Sequence, residues 1–143
     1  MKSILVATDG STTSNKALIE CRELAECTGA RVTIINVASL PLPLNISAQD
    51  HIIIEQEAIM RNKEKSIQLL NKELGIFEGF SGEISIVTRS GDAGEEIIKE
   101  AEEGDYDLII MGSRGRGIFS RTILGSVSNK VLNHLNKNVL IVK

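Results

Sequence analysis

The chain has 143 residues, of which 42% are hydrophobic, 24% charged and 3% aromatic, and its formal net charge is -3. A chain of this length predicts a single domain over residues 1–143, which can bury about 68–70% of the surface that its unfolded form exposes. The acidic balance and the scarcity of aromatic residues argue against a nucleic-acid-binding protein.

Two cysteines and the first residues of the chain bear on its location. Cys21 and Cys27 fall in one predicted helix, about 9 Å apart along its axis, which is too far for a disulfide. We expect both to be core or half-buried residues with free thiols, as is typical of a reducing compartment. The apolar run at the N-terminus is interrupted by Asp9, so it resembles neither a signal peptide nor a membrane span. These features predict a cytoplasmic protein with no membrane partner.

The first third of the chain reads as strand, helix and strand. Residues 3–8 form a continuous apolar run, which predicts a central strand of a parallel sheet. Ser11 and the two threonines after it are good N-caps for a helix that Gly29 would end. A run rich in β-branched residues at 31–37 predicts the second strand. A loop at 38–49 follows, and loops of this length are often functional.

The remainder of the chain continues the alternation. Its predicted elements are a helix at 52–74, a strand at 83–88, a helix from Asp92 to Gly104, a strand at 106–111, a helix at 125–136 and a strand at 138–142. Strands that alternate with helices imply a parallel sheet covered on both faces. We therefore predict an α/β fold, a single doubly wound domain with a five-stranded parallel sheet of order 3-2-1-4-5. In that order strands 1 and 4 are neighbours, and a ligand crevice is expected beyond their carboxyl ends.

The stretch 106–127 has the local pattern of a phosphate site. A strand-like apolar run is followed by Gly112, then by a basic loop containing Gly115, and then by Gly125 at the start of a helix. Glycine allows close backbone approach and a positive φ, and the first amides of a helix are unpaired and can face an anion. Because Asp9 follows the first strand, it would face the same crevice although it is distant in sequence.

This glycine spacing, G-x2-G-x9-G followed by serine, resembles the nucleotide-binding signature of the universal stress protein family. The opening ILVATDGS and the closing NVLIVK resemble the first and last strands of that family, so the resemblance covers the whole chain. It implies that the chain binds ATP, or AMP or ADP, with Mg²⁺ or Mn²⁺ held by the phosphates. It also implies a homodimer formed through the last strand, between Val139 and Val142.

The resemblance also assigns roles to individual residues. Asp9 matches the acid that accepts hydrogen bonds from the nucleoside, which suits a carboxylate facing a diol. Val37 matches the position whose backbone reads the adenine edge. The positions that would approach the ribose and phosphates are Gly112, Gly115, Gly125 and Ser126. The other residues expected to line the pocket are Ala7, Thr8, Met111, Arg114 and Val127.

Several residues have simpler interpretations. Ala7 and Asn138 stand where family members often have proline, although neither change removes a charge that would contact the ligand. Asp9 alone could be a turn residue or a helix cap, and Arg116 and Arg121 could equally form a solvated face. The two histidines, His51 and His134, have no pattern of partner residues that would predict a metal site.

These observations favour a regulatory nucleotide-binding module in a stress response. The alternatives are a slow ATPase or autophosphorylating enzyme, and a dimeric scaffold that binds no nucleotide. No P-loop motif is present, and no residue is placed as a general base beside the phosphates, so we predict no catalytic residues.

Overall fold

The chain folds into a five-stranded parallel sheet with helices on both faces. The computed structural model describes residues 1–41, 45–115 and 123–143. The elements are β1 Ser3–Ala7, α1 Thr12–Thr28, β2 Arg31–Ala38, α2 Ala48–Glu73, a 3₁₀ helix Leu74–Phe77, β3 Ile84–Ser90, α3 Ala93–Glu103, β4 Leu108–Gly112, α4 Ser126–His134 and β5 Asn138–Val142. The strand order is β3-β2-β1-β4-β5 and every neighbouring pair is parallel, which confirms the predicted topology.

β1 is the centre of the sheet and is buried along its whole length. Because side chains alternate between the faces of a strand, Ile4 and Val6 pack with α1 on one face. Leu5 and Ala7 point the other way and pack with α3 and α4. The unbroken apolar run at the start of the sequence is therefore explained by a strand that is covered on both sides.

The predicted starts of α1 and α3 and the predicted end of α1 are confirmed. The Ser11 side chain accepts a hydrogen bond from the Ser14 amide at the start of α1, and Gly29 ends that helix with a φ of 69°. The Asp92 side chain accepts from the Glu95 amide at the start of α3. These caps satisfy helix amides that would otherwise have no partner within the helix.

The second helix differs from its prediction. α2 begins earlier, at Ala48. The sequence predicts that Gly75 ends the helix, but the chain continues past α2 as the 3₁₀ helix, which includes Gly75. The spacing of apolar residues in 52–74 predicts one buried face made of Ala58, Ile59, Ile67, Leu70 and Leu74. Leu70 is fully buried, but Ile67 is 40% exposed. A 26-residue helix is about 39 Å long, whereas strands of 5–8 residues span about 17–27 Å, so α2 is longer than the strands it packs against.

Two smaller expectations are also wrong, for reasons of helix geometry. Cys21 is buried but Cys27 is exposed, because six residues turn the helix by about 240°. In α4, Ser128, Val131 and the adjoining Leu135 face the sheet at helical spacing. Leu132, which the apolar pattern predicts on the same inward face, lies about 100° away from Val131 around the axis and is 39% exposed.

Candidate functional site

A cleft of about 360 Å³ opens at the carboxyl ends of the two neighbouring strands β1 and β4. This is the position at which doubly wound sheets bind ligands. All eleven residues that the sequence nominated line this one cleft. They are Ala7, Thr8, Asp9, Val37, Met111, Gly112, Arg114, Gly115, Gly125, Ser126 and Val127.

The turn after β1 forms one wall of the cleft and is held by its own hydrogen bonds. Gly10 has a φ of 77°, a conformation that favours glycine, and its amide donates to the Thr8 hydroxyl over 3.2 Å. Asp9 Oδ1 accepts from the Ser11 amide at 2.9 Å, and the Asn36 side-chain amide donates to the Thr8 carbonyl at 2.7 Å. Hydrogen bonds within the protein therefore fix the conformation of the turn without a bound ligand.

The second carboxylate oxygen of Asp9 lies against the glycine loop. A Cβ added to Gly115 would lie 3.0 Å from Asp9 Oδ2. The backbone φ of Gly115 is outside the left-handed region, so the expectation that this glycine serves a positive φ is wrong. Gly115 instead lies where two segments that are far apart in sequence approach closely, and a Cβ there would require the Asp9 carboxylate to shift.

Gly112 and Gly125 are also explained by close packing. A Cβ on Gly112 would lie 2.8 Å from the Thr13 carbonyl carbon and 2.9 Å from the Ser14 amide, which is closer than real Cβ atoms come. A Cβ on Gly125 would lie 3.3 Å from the Arg114 Cα. The glycines therefore bring the start of α1, the end of β4 and the start of α4 together around the cleft.

Ser113 closes the base of the glycine loop. Its carbonyl accepts from the Gly125 amide at 2.7 Å and from the Ser128 hydroxyl at 3.2 Å, while its amide donates to the Val142 carbonyl at 2.7 Å. The two ends of the loop are thus joined at Ser113, which is itself hydrogen-bonded to Val142 of β5. The middle of the loop, including Arg116 and Arg121, lies outside the described residues.

The start of α4 differs from the starts of α1 and α3. Those two helices have Ser11 and Asp92 as side-chain caps, whereas α4 begins at Gly125, which has no side chain to donate or accept. The first amides of α4, at Ser126 and Val127, therefore border the cleft without a side-chain cap. Uncapped helix amides form a favourable site for an anion because of their partial positive charge.

Charge in the described part of the cleft is sparse and divided between two residues. Asp9 is the one acidic residue among the described lining residues, and Arg114 is the one basic residue. The Arg114 carbonyl accepts a 2.6 Å hydrogen bond from the Thr13 hydroxyl, which fixes the backbone of Arg114 against α1. The lining thus offers a carboxylate to a hydroxyl-bearing group and a cation with helix amides to an anion.

A family model described as the universal stress protein family matches residues 1–143. The chain belongs to this family. It is 30% identical to universal stress protein MJ0577 of Methanocaldococcus jannaschii, over 99% of this chain and 94% of that protein. It is 32% identical to universal stress protein YxiE of Bacillus subtilis, over 98% and 97% of the two chains.

Solved structures give the same result for the fold. A structure of MJ0577 superposes with a TM-score of 0.79 at 28% identity and covers 99% of this chain and 95% of its own. A universal stress protein from Archaeoglobus fulgidus, solved in complex with dAMP, has a TM-score of 0.58 at 23% identity over 100% and 98% of the chains. Another family member, solved in complex with cAMP, has a TM-score of 0.63 at 22% identity over 99% and 97%.

The sequence missed six residues that line the cleft of this universal stress protein. They are Ser14, Ile35, Asn36, Ala93, Ile97 and Ser128. Asn36 could have been found, because a carboxamide next to Val37 at the end of an apolar strand marks where the strand meets a crevice. Ala93 and Ile97 come from α3, and no local signal in that helix indicates which crevice its first turns border.

Within residues 1–41, 45–115 and 123–143 there is no group of three histidine, cysteine or acidic side chains placed to hold a metal ion. In the same ranges no helix has the length and apolar character needed to cross a bilayer.

Proposed function

We propose that the cleft binds ATP and that the protein acts as a regulatory nucleotide-binding module in a stress response. The observation that carries this proposal is the convergence of an uncapped helix start and a fixed carboxylate on one cleft. Its volume of about 360 Å³ lies within the range of about 300–1,000 Å³ that small-molecule sites occupy.

The two ends of the cleft suit the two ends of a nucleotide. Asp9 Oδ2, near Gly115, would accept hydrogen bonds from the ribose hydroxyls, and the backbone of Val37 would meet the adenine edge. The phosphates would lie at the start of α4, where Ser126 supplies both an amide and a hydroxyl. The family membership supports binding of an adenine nucleotide, and so do the two members of the same fold solved with dAMP and cAMP.

A bound metal ion would depend mainly on the nucleotide. Asp9 is the one carboxylate among the described lining residues, and one of its oxygens already accepts from the Ser11 amide. Mg²⁺ is usually held by one or two carboxylates together with phosphates and water. We therefore propose that Mg²⁺ or Mn²⁺ is carried into the site on the phosphates.

The proposal is tested by identifying and measuring the nucleotide. Acid extraction of the purified protein followed by chromatography would reveal any adenine nucleotide that remains bound. Calorimetry with ATP, ADP, AMP and GTP would then rank the ligands, and we expect ATP to bind most tightly. Equal affinity for GTP would contradict an adenine-reading site, and the failure of all four to bind would favour a scaffold without nucleotide.

We predict that ATP turnover is absent or far below the value of about 10 s⁻¹ that is typical of enzymes. A general base must lie within hydrogen-bond reach of the attacking group, and no histidine lines the described part of the cleft. The carboxylate of Asp9 belongs to the proposed nucleoside end. A steady-state phosphate-release assay measures the rate. A rate in the ordinary enzyme range would contradict this prediction and show that the protein is an ATPase.

We also propose a homodimer formed through β5, and predict that Leu140→Lys weakens it. β5 is an edge strand that pairs with β4 on one side, and an apolar edge invites pairing with another strand. Val139 and Ile141 pack onto the protein's own core, whereas Leu140 is 36% exposed, so its replacement spares folding. Sedimentation at several concentrations measures the dimer; an unchanged mass for Leu140→Lys would place the contact elsewhere.

A further inference from the structure

A buried carboxyl group lies behind the cleft, in the last residue of α2. Glu73 is 4% exposed, although charged residues are rarely buried unless they are paired. None of the lysine, arginine or histidine side chains in the described ranges forms an ion pair with it. It is also absent from the cleft lining, so it does not contact a ligand there. Because burial of an unpaired carboxylate opposes folding, this group points to a role other than stability.

The neighbours of Glu73 belong to the wall of the cleft. The Asn15 carboxamide, in the orientation that turns its nitrogen toward Glu73, donates to Oε1 at 3.0 Å and to Oε2 at 3.1 Å. The Thr8 side chain hydrogen-bonds to the same carboxyl and itself lines the cleft. Thr8 Oγ1 also accepts from the Gly10 amide. Glu73 is therefore one residue removed from the turn that carries Asp9.

The surroundings of Glu73 favour its neutral form. Burial raises the pKa of the Glu73 carboxyl above its ordinary value, against the opposing effects of Lys72 and of the Thr8 hydrogen bond, and the negative charge of Asp9 raises the pKa further. The charged groups that act on it are thus Asp9, in the turn after β1, and Lys72, on α2 itself, while α1 contributes the uncharged Asn15. Glu73 loses its charge as the pH falls through this raised pKa.

The charge of Glu73 acts on a bound phosphate across the interior of the protein. Thr8, its hydrogen-bond partner, and Ser126, at the start of α4, line the same cleft of about 360 Å³. Charges separated by protein interact more strongly than charges separated by water, and salt screens them less. ATP, ADP, AMP and adenosine carry successively less negative charge. An ionised Glu73 should therefore oppose their binding in that order and leave adenosine unaffected.

We propose that Glu73 controls, through its charge, how tightly the cleft holds polyphosphate nucleotides, so that ATP binding is weakened when Glu73 is ionised and strengthened when it is protonated. This inference rests on the proposed function, because it requires an adenine nucleotide in the cleft. Occupancy of the cleft by ATP would then rise on acidification. Because coupling between two binding events is reciprocal, ATP binding should also make the protein take up protons.

Glu73→Gln gives the first test, because glutamine keeps the shape of the side chain and removes its charge. Calorimetry in mildly alkaline, metal-free buffer should show that ATP binds about three- to tenfold more tightly to the variant than to the parent, as expected for loss of one partly screened charge. The gain should be smaller for ADP, smaller again for AMP and absent for adenosine. An equal change for all four ligands would make Glu73 a structural residue and overturn the proposal.

Glu64→Gln is the matched control. It removes the same charge from the same helix, but Glu64 is exposed, so solvent and salt screen its effect on the cleft. We expect all four affinities to equal those of the parent. If Glu64→Gln gave the same graded gain as Glu73→Gln, the effect would come from net charge, and the specific role of Glu73 would be excluded.

The pH dependence gives the second test. The ratio of ATP affinities between Glu73→Gln and the parent should be largest in alkaline buffer and approach one as the pH falls through the Glu73 pKa. The ratio is informative because the titration of ATP itself affects both proteins equally. Calorimetry in two buffers of different ionisation enthalpy should show greater proton uptake by the parent. A ratio that stays constant across the pH range overturns the proposal.

Thermal unfolding distinguishes this role from a structural one. A carboxyl whose pKa is raised by folding destabilises the folded state when ionised; the penalty is complete above the raised pKa and absent below the pKa of the unfolded chain. Glu73→Gln should therefore unfold at the same temperature as the parent or higher at neutral pH. A lower unfolding temperature would assign the carboxylate to the fold and overturn the proposal.

The two proposals fail in distinguishable ways. If the parent binds none of the four ligands, the proposed function fails and the role of Glu73 fails with it. If the parent binds them and Glu73→Gln leaves the whole series unchanged, the role of Glu73 alone fails.

Discussion

Replacement of Gly115 by valine is expected to abolish ATP binding while the sheet remains folded. A Cβ at this position would lie 3.0 Å from Asp9 Oδ2, and the valine methyl groups would extend further into the cleft. The loop and the β1 turn would then separate, so the nucleoside and phosphate ends of the proposed site could not act on one ligand. Calorimetry with ATP should detect no binding, and circular dichroism should match that of the parent.

Gly75→Val provides the matched control for this substitution. Gly75 lies in the 3₁₀ helix after α2, away from the cleft, and a Cβ there meets nothing within 4 Å. The control should bind ATP like the parent. If Gly115→Val also retained full affinity, the loop would not be the phosphate site, and the protein would be better described as a scaffold.

The fold could be predicted because its decisive signals are local in sequence. β1 was recognisable as a strand covered on both faces from its unbroken apolar run, and the helix starts at Ser11 and Asp92 from their capping side chains. The alternation of elements then left few topologies, because crossovers between parallel strands are right-handed and connections are short. The observed strand order is the one that those constraints predict.

The exposed part of α2 could not be predicted in the same way. Apolar residues at helical spacing indicate a face that is buried against something, but not against what. Ile67 continues the predicted apolar face, yet it is exposed, because it lies about 100° around the helix axis from the buried Ser66. Whether such a residue belongs to the core depends on which side of the helix meets the sheet, and the local pattern does not specify that side.

The residues that line the cleft were predicted better than the reasons for their presence there. The glycine spacing correctly nominated Gly112, Gly115 and Gly125 as members of one cleft. None of the three has the expected positive φ; a Cβ would instead meet the start of α1 at Gly112, the Asp9 carboxylate at Gly115 and the Arg114 backbone at Gly125. The first two contacts join segments that are about a hundred residues apart, so only the folded chain reveals them.

Asp9 carries two separable roles in the structure. Oδ1 accepts the Ser11 amide at 2.9 Å and so stabilises the turn before α1, while Oδ2 borders Gly115 in the cleft. Asparagine retains an oxygen acceptor for the turn and removes the charge, whereas alanine removes both functions. Asp9→Asn and Asp9→Ala together therefore separate a turn residue from a ligand-binding residue.

Asp9→Ala is expected to weaken ATP binding by about 1.5–3 kcal/mol, the range for a hydrogen bond to a charged group. That loss corresponds to about 10- to 150-fold in affinity. Asp9→Asn should lose a large part of the same affinity, although its turn is preserved.

Asp107→Ala is the control for the loss of a carboxylate. Asp107 accepts hydrogen bonds from the Lys2 and Ser3 amides just before β4, at the opposite end of the sheet from the cleft. Its replacement should therefore leave the ATP affinity unchanged. If calorimetry found parental ATP affinity in both Asp9 variants while Gly115→Val failed to bind, the loop would remain the phosphate site and Asp9 would be a turn residue alone.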